Sequence, residues 1–411
     1  MRFTRREALI SAGVLASGAA LGAQSSRQDQ DSISTKNYDQ QNKTALEIPA
    51  DGPLTCLADY EAAAKHHIPP TFWEFYNGSA ADELTMRWNI EAYQRIRLKP
   101  RVLIDVSQID TTVKLLGREH AFPILLAPTA YQKLAYRDGE IATARGAKIA
   151  NATMVLSTNS TTAVEDVSQA AQGSPLWFQL YVQRDRGFTR ELVQRAEAAG
   201  CQALCLTVDT PVAGVRNREQ RADFHLPAGV ELPHFKGLKF NGVDVSKAGH
   251  VQLANSIYNA ISDPTLSWKD VDWLAGFAKI PLLLKGILNP DDADHALKTG
   301  VVGLIVSNHG ARNLDTVPPT IEVLPLIADR VSGRVPLLVD GGVRRGTDVL
   351  KALARGASAV LIGRPYIYGL SVTGENGVAR VVNILQRELQ MAMALTGRPT
   401  IASIDRSVLW S

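Results

Sequence analysis

The chain has 411 residues, 45% of them hydrophobic and 21% charged, with a formal net charge of +3. That supplies one large core or two modest ones, and a near-neutral balance without a basic block argues against nucleic-acid binding. Three cysteines, Cys56, Cys201 and Cys205, do not make a disulfide framework, and neither Cys201 nor Cys205 has histidine or cysteine company at zinc spacing, so no metal site is expected.

In chain order, the first residues form a separate object. MRFTRREALISAGVLASGAALGAQ has a basic start, an apolar stretch and then small residues, the layout of an export signal. Residues 8 to 23 are short for a membrane span. Thr4, Arg5 and Arg6, followed by Leu9 and Ile10, resemble a twin-arginine signal, which exports folded proteins. Cleavage near Gly22 or Ala23 would delete three arginines and one glutamate and bring the net charge to +1. A membrane-anchored or cytoplasmic chain is the alternative. Residues 24 to 50 are polar and unpatterned and read as a flexible linker. Residues 51 to 411 then form one catalytic domain.

That domain opens with a helical extension, because ADYEAAAKHHI and ADELTMRWNIEAYQRI carry apolar residues at helical spacing. Eight short apolar runs follow. They are FPILLAPTA (122–130), TMVLST (153–158), PLWFQLYV (175–182), ALCLTVDT (203–210), PLLLKG (281–286), GLIVSNHG (303–310), PLLVDGG (336–342) and AVLIGRP (359–365). Each shows little alternation, as in strands buried on both faces. Helix-like segments such as GEIATARGAKIAN, TRELVQRAEAAG, DDADHALKTG and GTDVLKALARGA lie between them. Alternating strand and helix implies parallel strands with crossover helices, and eight of them predict an α/β fold, a closed (β/α)8 TIM barrel. A doubly wound open sheet is the runner-up. Between the fourth and fifth runs, Pro211 to Ser267 shows no convincing element and reads as a long rim loop, a lid. Its His225, His234 and His250 carry no functional expectation.

Polar residues gather at the carboxyl ends of the runs: Thr129, Ser157, Gln179 with Tyr181, Thr207 with Asp209, Lys285, His309, Asp340 and Arg364. In a barrel these ends share the catalytic rim, which predicts a small-molecule enzyme. DGGVRRGTDV (340–349) and LIGRP (361–365) follow the last two runs. Their glycines let backbone amides approach an anion, Arg344 and Arg364 add bidentate donors, and the helix starting near Thr347 offers its positive end, so a phosphate is expected there. Lys285 fits a Schiff base, or a flavin whose reduced ring needs a cation; His309, Asp209 and the arginines favour the flavin.

At this point APTA (127–130), QLYV (179–182), LTVDTP (206–211), LSWKDVDWL (266–274), LLLKGI (282–287), SNHGARNLD (307–315), DGGVRRGTDVLKALARGA (340–357) and IGRP (362–365) resemble the FMN-dependent L-2-hydroxy acid dehydrogenases and oxidases. That family includes glycolate oxidase, lactate oxidase, lactate monooxygenase and mandelate dehydrogenase. The resemblance covers roughly residues 51 to 400, and SNHGxRxLD together with DGGxRxGxD is specific. It implies FMN as cofactor and a small L-2-hydroxy acid as substrate. His309 would take the C2 proton, or the hydroxyl proton if a hydride moves, and Asp209 would hold the resulting imidazolium. Arg312 and Arg216 would grip the carboxylate, and Tyr181 would bond near the substrate hydroxyl. Lys285 would balance charge on reduced FMN. Thr129, Ala130, Ser157, Gln179, Thr207 and Ser307 would address the flavin ring, while Asp340, Gly342, Arg344, Gly363 and Arg364 would hold ribityl and phosphate. The resemblance also implies a homo-oligomer, a tetramer, and oxygen as acceptor, with a quinone or cytochrome as the alternative.

Two departures bear on the substrate. Family members read like YYAGGAGDE near the amino end, and the first tyrosine contacts the substrate carboxylate; here FYNGSAADE (75–83) puts Phe75 there. Asn159 stands where glycolate oxidase-like members carry a bulky aromatic, which predicts a more polar pocket. A flavin barrel of another class, such as an isomerase, or a noncatalytic flavin-binding protein are the competing readings.

Overall fold

A computed structural model describes residues 53–240, 243–248 and 263–410. The expected export signal and linker lie outside the described residues. The extension folds as α1 (Leu57–His67), α2 (Pro70–Asn77) and α3 (Leu84–Arg95). Pro70 opens α2, where a missing N–H costs nothing. A hairpin that the sequence reading did not anticipate, β1 (Val113–Leu115) with β2 (Arg118–His120), precedes the barrel.

The barrel begins with β3 (Ile124–Leu126), α4 (Gly139–Ala150), β4 (Thr153–Ser157), α5 (Val164–Ala171), β5 (Leu176–Leu180), α6 (Arg186–Ala198) and β6 (Leu204–Thr207). The segment after β6 differs from the expectation of a structureless loop. It holds α7 (Asn217–Arg221), a 3-10 turn at Pro233–Phe235, a hairpin of β7 (Lys239–Phe240) with β8 (Val243–Asp244), and α8 (Val245–Ala248). These pieces are too short for a hydrophobic period to show; Arg218 ties α7 to Glu74 of α2, and His234 of the 3-10 turn bonds Thr158 and Val164 of the barrel. The barrel resumes with α9 (Trp268–Ala275), β9 (Leu282–Ile287), α10 (Pro290–Ala296), β10 (Gly303–Val306), α11 (Thr320–Val331), β11 (Leu337–Val339), α12 (Gly346–Ala354) and β12 (Ala359–Ile362). The final helix, α13 (Arg364–Leu395), breaks its helical geometry at Thr373 and Gly374.

The strands close in the order β10-β11-β12-β3-β4-β5-β6-β9, all pairs parallel, so the eight-strand expectation holds and the open sheet is excluded. Alternate strand residues separate two cores. Leu125, Val155, Trp177, Cys205, Leu283, Ile305, Leu338 and Leu361 pack inside the barrel with Leu115 of the hairpin. Their sequence neighbours, such as Leu126, Phe178, Leu206, Leu284 and Val306, join the larger core under the helices. Cys205 is a fully buried interior residue, and burial pushes its thiol up to about 12, as expected of a small hydrophobe.

Candidate active site

Strand periodicity alone positions the floor of the site. Two residues beyond the interior residues Val155, Trp177, Cys205, Leu283, Ile305 and Leu338 come Ser157, Gln179, Thr207, Lys285, Ser307 and Asp340, on the same face. The apolar plug therefore gives way to one polar layer. Its members are tied together: Ser157 Oγ donates to Gln179 Oε1 (3.1 Å), Gln179 Nε2 to Thr207 Oγ1 (2.9 Å), and Lys285 Nζ to Ser307 Oγ (3.0 Å), with Asp340 3.4 Å from Nζ. Burial alone would discharge Lys285, but Asp340 and Asp209 outweigh it and its proton affinity is raised. Two residues further along the chain, past the strand ends, come Asn159, Tyr181, Asp209 and His309, all but Asp209 lining the cavity.

Above this floor lies a cavity that opens to solvent. Of the expected residues, Thr129, Ala130, Ser157, Gln179, Tyr181, Thr207, Arg216, Lys285, His309, Arg312, Asp340, Gly342, Arg344, Gly363 and Arg364 line it, as do Phe75 and Asn159. Asp209 and Ser307 stand behind the wall, each against a lining residue.

His309, Gly310 and Ala311 all have left-handed backbones (φ 57°, 61° and 64°), a costly arrangement for the two non-glycine residues. The His309 N–H donates to Ser307 Oγ at 3.0 Å, which helps hold the turn. His309 Nδ1 lies 2.9 Å from Asp209 Oδ1. A carboxylate only accepts, so Nδ1 carries the proton and Nε2 keeps its lone pair. Tyr181 Oη lies 3.4 Å from that Nε2. Burial lowers the His309 pKa, opposed by Asp209, and the imidazole is neutral and basic near pH 7. Burial would raise Asp209, but His309 and Lys285 prevail and hold it ionised. Gly286 makes the approach possible, since a Cβ there would stand 2.6 Å from the Asp209 side chain. Burial, then the Asp209 charge, push the Tyr181 phenol up to about 12, so it stays a donor.

The arginines are positioned by a helix end. The last carbonyls of a helix lack partners within it. At the end of α2, Arg312 Nη1 donates to the carbonyls of Phe75 (2.6 Å) and Gly78 (2.9 Å). Arg364 donates from Nε to Tyr76 (2.9 Å), from Nη2 to Gly78 (2.7 Å) and from Nη1 to Gly310 (2.9 Å). Glu219, on α7, accepts from Arg312 Nη2 (2.9 Å) and meets Arg216 Nη1 at 3.4 Å. Burial, then the Arg216 charge, push Arg312 down to about 9, still protonated at neutral pH. Crowded buried cations of this kind favour an added anion. Phe75 sits under the Arg312 guanidinium, 4.8 Å from ring centre to Cζ, and lines the cavity. Tyr76 does not replace the missing hydroxyl, because its Oη donates to the Tyr131 carbonyl at 2.6 Å.

Two expectations about the anion cradle need correction. The amino end of α12 is not open: Asp348 accepts from the N–H groups of Arg344 and Arg345, and Glu388 from that of Gly346. The Arg364 side chain does not point at an anion, because its nitrogens serve the three carbonyls above. What remains is the Gly341–Val343 backbone, the Arg344 side chain and the N–H of Arg364 at the amino end of α13, since Pro365 has none and that of Tyr366 donates to the Gly363 carbonyl.

Sequence reasoning missed Glu219, Thr210 and Asn313. Thr210 Oγ1 donates to Asp209 Oδ1 (3.0 Å), and Asn313 Nδ2 donates to the Asp209 carbonyl (2.8 Å). Asn313 lies inside the SNHGARNLD block, so the motif held a signal for it. Thr210 likewise lies inside the LTVDTP block, whereas Glu219 had no such signal, since its role exists only once the segment after β6 folds back.

A barrel rim that joins an Asp–His base, an arginine cluster and a glycine-rich anion cradle around one cavity defines an enzyme acting on a small acid with a phosphorylated cofactor. The family model described as FMN-dependent dehydrogenase matches residues 64–411. The chain is 48% identical over 354 residues to a 2-hydroxyacid oxidase of Dictyostelium discoideum, covering 86% of this chain and 89% of that one. It is 46% identical over 369 residues to an L-lactate oxidase of Nostoc sp., covering 89% and 99%. Among solved structures it is similar to a soluble mutant of the membrane-associated (S)-mandelate dehydrogenase of Pseudomonas putida, at a TM-score of 0.79 and 34% identity over 87% of this chain and 99% of that one. The protein belongs to the FMN-dependent 2-hydroxy acid dehydrogenase and oxidase family, and it is an FMN-dependent oxidoreductase of 2-hydroxy acids.

The residues present fit that cofactor. Asp340 Oδ1 is buried facing the cavity without a hydrogen-bond partner, an acceptor suited to a polyol hydroxyl. Lys285 supplies a buried cation beside the polar layer.

Proposed function

We propose that the protein oxidises a small L-2-hydroxy acid to the 2-oxo acid with dioxygen as the final acceptor. The observation that carries this reading is the His309–Asp209 pair, with Nε2 free to act as a base beside Tyr181 and the arginine pair in the same cavity. Bound FMN supplies the two-electron acceptor. Arg312 and Arg216 hold the substrate carboxylate, and Tyr181 donates to the C2 hydroxyl. His309 Nε2 takes the proton released from the substrate. Asp209 stabilises the imidazolium that results, as a carboxylate on the far nitrogen of a catalytic histidine does. Lys285 offsets negative charge that collects at the cofactor. Ser157, Gln179, Thr207 and Ser307, with the Thr129–Ala130 backbone, frame the ring. Asp340, Gly342, Gly363 and Arg344 hold the tail, and Arg364 acts through its backbone.

The oxidase names of the two curated relatives support oxygen as acceptor. Anaerobic mixing with an L-2-hydroxy acid should bleach the flavin, and the D enantiomer should not. Air should then restore the yellow form within seconds with release of hydrogen peroxide. A reduced flavin stable in air for minutes would assign a quinone or cytochrome instead, and no bleaching by any 2-hydroxy acid would reject the reading. The same proposal includes export through the twin-arginine signal, checked by amino-terminal sequencing of protein recovered from the periplasm. It also includes assembly as a tetramer, checked by light scattering.

A further inference from the structure

Asn159 is 2% exposed, lines the cavity, and its Oδ1 is buried without a hydrogen-bond partner. Its backbone is fixed on both sides: the N–H donates to Ser157 Oγ (3.1 Å) and the carbonyl accepts from Tyr131 (3.1 Å). The side chain therefore has a set place and an unmet bond. A buried amide oxygen without a partner keeps the full cost of its lost hydration, so such a group in a native cavity points to a ligand.

Its surroundings say which ligand. Asn159 follows Ser157 by two residues, as Tyr181 follows Gln179 and His309 follows Ser307. Ser157, Gln179 and Ser307 belong to the floor layer assigned to the cofactor ring. Tyr181 and His309 are assigned to the substrate hydroxyl and C2. Asn159 lies just past the end of β4 in the same cavity, and its carbonyl accepts from Tyr131, whose ring packs on Phe75 beneath Arg312, so it belongs with the substrate-facing residues. The carboxylate end is already served by Arg312 and Arg216, and the C2 hydroxyl by Tyr181 and His309. The substrate atoms left for Asn159 are those of the side chain beyond C2.

Resting on the function proposed above, we infer that Asn159 is a specificity-determining residue that reads a hydroxyl on the substrate side chain, so the preferred substrates are 2,3-dihydroxy acids rather than 2-hydroxy acids with purely apolar side chains. A hydroxyl both donates and accepts, so it pairs with the carboxamide whichever way the amide is turned. A methyl group in the same place leaves the oxygen buried and unpaired. A second carboxylate could not donate to that oxygen. A site built around such a bond discriminates against the analogue that lacks the hydroxyl far better than an apolar pocket rejects one extra oxygen.

L-Glycerate and L-lactate differ by the hydroxyl on C3 alone, and the holoenzyme should be tested with both. Anaerobic flavin reduction should favour glycerate over lactate by about tenfold or more in the second-order rate constant, as expected for one buried hydrogen bond that goes unmet with the methyl compound. Asn159→Leu, which keeps the branching at Cγ and removes both polar atoms, should remove that preference or reverse it. Asn159→Gln and Asn159→Ser, which keep a polar group, should retain part of it. The products give a readout without turnover: perturbation of the flavin absorbance should show hydroxypyruvate binding tighter than pyruvate in the parent and not in Asn159→Leu. Equal rates for the two acids in the parent, or a preference that Asn159→Leu leaves unchanged, would overturn the assignment while leaving the oxidase reading intact. Failure of both acids, and of every other 2-hydroxy acid, to reduce the flavin would instead reject the underlying function, and this inference with it.

Discussion

His234 ties the segment after β6 to the site, and its protonation should destabilise the protein. Its Nδ1 lies 3.0 Å from the Thr158 carbonyl, and its Nε2 accepts from the Val164 N–H at 2.9 Å. Both nitrogens are used by the neutral ring, one donating and one accepting. Protonation would turn Nε2 against a donor. Burial lowers the pKa from the ordinary 6.5 to about 4, only partly opposed by the Thr158 carbonyl. The unfolded chain thus binds a proton that the folded chain refuses between these values. The stability is fully present above pH 6.5 and is lost as pH falls toward 4. The whole shift corresponds to about 3 kcal/mol, of which about 2 kcal/mol is lost between pH 7 and pH 5. Urea unfolding at fixed excess FMN, compared between the parent and His234→Gln, isolates this contribution because the carboxylates titrate in both. The variant should be less stable at pH 7 and lose about 2 kcal/mol less than the parent on going to pH 5. Parallel losses in the two proteins would refute the assignment of a neutral, doubly bonded imidazole. His234 braces Thr158, so the variant should also perturb the neighbouring Asn159 subsite.

Other outcomes follow from the site. His309→Gln should keep its FMN and lose anaerobic flavin reduction by more than about 100-fold, since the base is removed and the cavity is not; comparable rapid-mixing rates would reject the role. Asp209→Asn removes the charge that raises His309, so the acid limb of kcat/KM should move to lower pH while the plateau drops by about 100-fold or more. A limb that moves upward in a pH profile would contradict the pairing. Arg344→Ala and Arg364→Ala should separate two kinds of arginine. The first should weaken FMN binding to apoprotein about tenfold or more with little change in apoprotein stability. The second leaves the carbonyls of Tyr76, Gly78 and Gly310 short of donors and should cost apoprotein about 3 kcal/mol in urea unfolding. The reverse pattern would restore Arg364 as the side chain that faces the phosphate.

Local pattern made most of the barrel legible in the sequence. A parallel strand buried on both faces must be apolar along its length, so each of the eight runs identified itself without reference to its neighbours. A period of two then fixes which residues face inward, and the step from Val155 to Ser157 or Cys205 to Thr207 already marks where the apolar plug ends and the site begins. The residues of SNHGARNLD and DGGVRR fell on the rim for the same reason. The helix α2 was less visible, because Phe72, Trp73, Phe75 and Tyr76 share a face but eight residues give the period only about two turns in which to show. The hairpin of β1 and β2 has only three residues in each strand.

What the folded chain decided is where each polar atom spends its bonds. Arg344 and Arg364 look alike beside their glycines, yet the carbonyls at the end of α2 claim the side chain of Arg364. Asp348 and Glu388 close the amino end of α12, which by sequence was as good an anion site as that of α13. Glu219 reaches Arg312 across 93 residues of chain. A hydrogen bond belongs to whichever partner the fold brings within about 3 Å, and residue type and spacing along the chain do not contain that distance. The sequence by itself determined the barrel, its inward faces and the chemistry available at its rim. Only the tertiary structure determined which of those groups are already committed to the protein and which, like Asn159 Oδ1, are left for a ligand.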